Sequence, residues 1–113
     1  MYLPDGSAVG VAEAATGGYA SSVAVDASQC ETLWCCYAWP VVRGNSGKRT
    51  FFVNQNGDIL ATNPTATGNI YNGTAAVPAY SAAYSGAVST TSMGMITASN
   101  TKGKDNNTWV VVQ

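Results

Sequence analysis

Cys30, Cys35 and Cys36 are the first residues whose type and spacing can do chemistry. Three thiolates can hold zinc. Cys35 and Cys36 are adjacent, however, so on a strand they point to opposite faces, and the chain has no fourth cysteine and no histidine to complete a tetrahedral set. A bridge from Cys30 to either Cys35 or Cys36 is the better expectation. It closes a small loop, so its gain sits at the low end of the usual ~2–4 kcal/mol. The cysteine left over reads as a small buried hydrophobe or as a cross-link to another chain.

Asn54, Asn56 and Asp58 have the alternating oxygens of the first half of a calcium loop, with Gly57 between them. No bidentate glutamate follows, and a hairpin turn uses the same residues more completely, so they form only a weak calcium candidate. The six acids, Asp5, Glu13, Asp26, Glu31, Asp58 and Asp105, are scattered singly, and nothing in the sequence pairs two of them for acid–base work. With no histidine, neither a Ser-His-Asp nor a Cys-His nucleophile can be assembled. An enzyme is therefore disfavoured, and no catalytic residue, metal or cofactor is expected.

Composition points to the scaffold. Of the 113 residues, 60 are Ala, Gly, Ser, Thr or Asn, whereas Leu and Ile number three each and Val twelve. Few leucines and many β-branched and turn-forming residues argue for a mainly β domain with long polar loops and against a helical bundle. A formal charge of −1 with only 10% charged residues leaves no electrostatic footprint for nucleic acid. The longest wholly apolar run, 33–39, is seven residues, far short of the roughly 20 that span a bilayer. Low charge, abundant Asn, Thr and Ser, and clustered cysteines suit an extracytoplasmic setting. A chain this small buries only a thin core by itself, so a second chain or a disulfide is expected to help.

A single domain spans 1–113. Residues 1–18 form a lead-in, where Ser7 can cap a marginal helix that Gly17 ends. The core sheet is expected over 19–62. Within it, Tyr19, Val23 and Val25 lie on one face of a strand over 19–26. A polar break at 27–31 precedes a strand over 32–40 that is apolar on both faces and closed by Pro40, as a central strand would be. Arg43, Lys48 and Arg49 flank the turn cluster Gly44-Asn45-Ser46-Gly47 and read as a solvated loop or an inter-subunit ion pair. Thr50-Phe51-Phe52-Val53-Asn54-Gln55 and Asp58-Ile59-Leu60-Ala61-Thr62 then flank Asn56-Gly57, the preferred pair of a two-residue type I′ hairpin. That register sets Val53 opposite Leu60 and Asn54 opposite Ile59. It puts Phe51, Val53 and Leu60 on one face and Phe52 and Ile59 on the other. Residues 63–107 are loop-rich, with Tyr80 and Tyr84 marking either a helical turn or a structured loop and Met93, Met95 and Ile96 a small apolar group. A last strand closes the chain over 108–113. Most of the aromatic residues sit on strand patterns and are expected to pack in a core or an interface.

Gly18-Tyr19, then Tyr37-Ala38-Trp39-Pro40, then the run from Gly44 through Gly47-Lys48-Arg49-Thr50-Phe51-Phe52 to Asn54-Gln55-Asn56-Gly57-Asp58-Ile59 resemble, in order, the globular heads of bacterial type IV pilins and pilin-like proteins. The match covers about the middle third of the chain. It implies an antiparallel sheet of about four strands packed on a long N-terminal pilin helix that these residues do not contain. Either that helix has been cut away, or the head is one polypeptide of a two-chain pilin. The cysteine trio and the long segment after Thr62 depart from the pattern, and that segment is expected to form an outward-facing, variable surface.

The resemblance implies a structural subunit of an extracellular type IV pilus or pilus-like filament, exported through the bacterial inner membrane. Its partners would be a pilin helix and neighbouring subunits. The face meeting the helix is expected to carry Trp34, Cys36, Ala38, Phe52 and Ile59. The alternative is a secreted pseudopilin or β-type binding module that recognises a glycan or surface ligand.

Overall fold

The computed structural model describes residues 1–19, 24–64 and 70–112. Among them run seven strands and one short helix: β1 (Tyr2–Pro4), β2 (Gly10–Ala12), α1 (Ala27–Cys30), β3 (Cys35–Ala38), β4 (Phe51–Asn54), β5 (Ile59–Thr62), β6 (Thr101–Lys102) and β7 (Thr108–Val111). The strands form one antiparallel sheet in the order β2-β1-β3-β4-β5-β7-β6. The mainly β class is as expected, but the sheet has seven strands rather than about four. The additions are short edge pieces that carry no apolar alternation for a sequence pattern to catch.

The lead-in helix does not form. β1 and β2 make a hairpin whose turn is held by the Asp5 carboxylate, which accepts the backbone N–H of Ser7 at 2.8 Å and of Val9 at 3.0 Å. Gly10 belongs to this hairpin because a Cβ there would collide with the Tyr80 side chain. The strand expected over 19–26 falls partly on residues 20–23, which lie outside the described residues; Tyr19 and residues 24–26 are in no strand. The polar break contains α1, a single turn whose N-cap Asp26 accepts from Gln29 N at 2.9 Å.

The hairpin between β4 and β5 forms, in a different register. Val53 pairs with Ile59, Phe52 with Leu60 and Phe51 with Ala61. The turn is not type I′: Gly57 has φ +78°, but Asn56 is not among the residues with positive φ. Gly57 N donates to Asn54 O at 3.1 Å, as in a type I turn followed by a left-handed glycine, and the loop is one residue longer than a type I′ hairpin allows. Asn54 locks it, its side-chain oxygen accepting from Asn56 N at 3.0 Å and Asp58 N at 3.1 Å. A one-residue slip sends every side chain of β5 to the opposite face. Leu60 therefore joins Phe52, and Ile59 joins Phe51 and Val53.

One sheet face carries Cys35, Tyr37, Phe52, Leu60 and Trp109, all buried. Rings stack across it edge-on or tilted: Tyr37 to Phe52 at 5.0 Å, Phe52 to Tyr84 at 5.6 Å and Tyr37 to Trp109 at 6.0 Å between centroids. The segment after Thr62 covers this face and supplies Tyr71, Ala82, Ala83, Tyr84, Met93, Met95 and Ala98 to the core. It is thus a packing layer and not merely an outward-facing surface, although Ile96 does point to solvent. Among its described residues it contains turns and isolated bridges with no helix, so Tyr80 and Tyr84 sit in a structured loop. Its alanines and glycines let backbone approach backbone: Ala98 N donates to Ala83 O at 2.8 Å, and Ser85 N to Ile96 O at 2.9 Å.

Candidate functional site

The second face of β3, β4 and β5 is apolar and open. Strand alternation and register place Cys36, Ala38, Phe51, Val53, Ile59, Ala61 and Val110 there. Ala61 is buried between its neighbours, but Phe51 is 43% and Ile59 47% exposed. Cys36, Ala38, Phe51, Val53 and Ile59 line a hollow of about 300 Å3. It adjoins a second, of about 310 Å3, through shared Ala38 and Phe51, and that one continues past Trp39 and Pro40 to Ser46, Gly47, Lys48 and Arg49. Together they make a shallow groove that begins wholly apolar at Ile59 and ends at two cations.

Four of the five residues expected to face a helix, Trp34, Cys36, Ala38 and Ile59, are at least partly accessible, and three of these lie on the open face. Trp34 stands just before β3, its N–H donating to Gln55 Oε1 at 3.2 Å. Phe52 is the correction. It is 1% exposed in the core, because β3 sets Tyr37 opposite it, leaving Cys36 and Ala38 on the other face, and the longer turn sets Leu60 and not Ile59 opposite it on β5. Phe51 and Val53 share a face as expected, but with Ile59 in place of Leu60, and Val110 joins them. The signal was present in Asn54-Gln55-Asn56-Gly57, where Asn at the first position and Gly at the fourth favour a type I turn.

No disulfide links the cysteines; all three are free thiols. Cys35 is buried on the core face with its Sγ 3.8 Å from Tyr80 O, while Cys36 faces the opposite way and Cys30 sits in α1 with its Sγ 4.0 Å from Pro4 O. The bridge expected from Cys30 to Cys35 or Cys36 does not form, because Cys30 lies against Pro4, Cys35 is turned into the core against Tyr80, and Cys36 points to the opposite sheet face. Burial pushes the Cys35 thiol up to about 12, so it is a protonated core residue.

Of the calcium candidates, Asn54 and Asp58 spend side-chain atoms on hydrogen bonds within the protein. Asn54 turns its oxygen to the loop backbone, as described, and donates through Nδ2 to Asp58 Oδ2 at 3.2 Å, which also accepts from Thr97 Oγ1 at 3.1 Å. Among the described residues, no group of three or more metal-ligating side chains comes together. The other acids have local tasks: Asp5 and Asp26 cap turns, and Glu13 meets the N-terminal amine at 3.3 Å. Asp105 is buried and tethers the covering segment to the sheet. It accepts from Tyr71 Oη, from Asn107 Nδ2 at 2.9 Å, from Asn107 N at 3.0 Å and from Trp109 Nε1 at 3.1 Å. Burial, and next the hydrogen bond to Asp105, push the Tyr71 phenol far up. Both oxygens of this acid are thus engaged in a structural network.

Among the described residues, no helix is long and apolar enough to cross a membrane. Compared with protein-family models, curated proteins and solved structures, the chain shows no match.

Proposed function

We propose that this chain is the head subunit of an extracellular type IV pilus or pilus-like filament, with its open sheet face seated on a pilin helix and its outer surface on neighbouring subunits. The observation that carries the reading is the open face itself. β3, β4 and β5 lie at the centre of an antiparallel sheet, whose second face ordinarily carries polar residues where it is left to solvent. One face is packed by the chain's own segment after Thr62. The other presents Phe51, Ile59, Val53 and Cys36 to solvent, a contiguous apolar patch of the kind that marks an interaction surface. The ordered turn and strand motifs between Gly18 and Ile59 point to the pilin family and hence to a helix as the cover.

The test is the location of the protein in its native cells. Filaments sheared from the surface are collected and probed with an antibody raised against the 113-residue chain. Recovery in the filament fraction, together with a helical pilin segment, is the expected result. Recovery only as a free secreted monomer would refute the filament role.

A further inference from the structure

Building on the helix-covered reading above, we infer that the helix filling this groove carries a carboxylate where it passes Lys48 and Arg49, so the face selects both an apolar stripe and its direction. The groove is chemically lopsided. Its Ile59 end is lined by Cys36, Val53, Phe51 and other uncharged residues, and its far end by Lys48 and Arg49. These are two of the five cations in the chain. Both are exposed, and neither has an ion-pair partner among the described residues, where the single ion pair joins Met1 N to Glu13. No acid lines either hollow.

β4 and β5 are paired along both edges and β3 meets β1 only at Cys35, so an added strand finds no free edge on β4 or β5, and their open face takes its cover face-on, as the helix of the reading above would supply it. Seating an apolar helix beside Lys48 and Arg49 partly removes water from the two cations. A carboxylate at that position offsets the loss, whereas a lysine there adds like-charge repulsion. With nothing charged at the Ile59 end, a helix in the reverse direction would forgo the contact.

Cys36 lines the groove and reports occupancy through its alkylation rate. The full chain with Cys30→Ser leaves Cys36 as the reactive thiol, since Cys35 is fully buried. Two synthetic helical peptides of about four turns are compared. They share one apolar stripe and differ in a single residue, Glu or Lys, at the end that meets the cations. The Glu peptide should protect Cys36 at about five- to tenfold lower concentration than the Lys peptide, with the gap closing in high salt. Lys48→Glu with Arg49→Glu should reverse the order, and Lys48→Gln with Arg49→Gln should erase it; all four substitutions are at exposed sites and leave the core intact. Equal protection by both peptides on every variant would overturn the charge rule while leaving helix docking in place. Protection by neither peptide would overturn docking itself. Protection by dodecyl phosphate alone would make the groove a lipid site, and concentration-dependent protection without peptide would make it a self-association face; either result refutes the proposal.

Discussion

Replacing Leu60 and Ile59 by alanine, one at a time, isolates the register on which the open face depends. Leu60 is fully buried beside Phe52, so Leu60→Ala removes packed atoms and leaves a cavity, at a cost of about 3 kcal/mol within the usual ~2–5. Ile59 is 47% exposed, and only about half of its burial is lost on truncation. With full burial of such a side chain contributing ~1.5–3 kcal/mol and no closed cavity to form, Ile59→Ala should cost about 1 kcal/mol. Urea unfolding followed by tryptophan fluorescence resolves the two, because Trp109 is in the core. At a slope near 1.5 kcal/mol per molar urea, the midpoint should fall by about 2 M for Leu60→Ala and about 0.7 M for Ile59→Ala. Helix docking should respond the opposite way: Ile59→Ala weakens Cys36 protection, and Leu60→Ala, while still folded, does not. A type I′ hairpin would exchange the faces of these two residues. Equal midpoints, or a larger loss at Ile59, would refute the longer turn and the face built on it.

Gly103→Ala should be among the most damaging small substitutions. Its Cβ would collide with the Ala82 carbonyl and stand 2.8 Å from the Trp109 indole, so circular dichroism melts should show a loss of several kcal/mol, on the order of ~3, or no cooperative transition. Asp105→Asn sets a donor either against Tyr71 Oη and Asn107 Nδ2 or against Asn107 N and Trp109 Nε1, and should destabilise by about 2–4 kcal/mol in urea, with Asp105→Ala at least as severe. Stability should also fall at alkaline pH. The folded Cys35 thiol is raised from 9.0 to about 12 by burial, so its contribution is complete below pH 9 and is lost as pH climbs to 12. Burial raises the Tyr37 and Tyr84 phenols as well, and their ionisation, followed by ultraviolet absorbance, should coincide with unfolding. Cys35→Ala should flatten the decline between pH 9 and 12.

The strands with strong local signals were legible: Cys35–Ala38 between its apolar flanks, the two arms around Asn56-Gly57, and the valine-rich close at Thr108–Val111. So was the exclusion of histidine chemistry, which follows from composition alone. The hairpin register was not, because Asn56-Gly57 fits a type I′ turn locally, and the capping by Asn54 that favours the longer loop shifts β5 by one residue. That single residue exchanged the faces of Leu60 and Ile59, bringing Leu60 beside Phe52 in the core and Ile59 beside Phe51 and Val53 on the open side. The segment after Thr62 was opaque for another reason. Its alanines, glycines and serines carry little periodic hydrophobicity, and its role as the second layer arises from backbone contacts such as Ala98 N to Ala83 O, between residues with no local pattern in common. Residue types alone determined that this is a small, nearly neutral β chain with strands apolar on both faces. Tertiary structure decided which face the chain covers for itself and which it leaves open, because register and long-range packing are set by contacts between residues far apart in sequence.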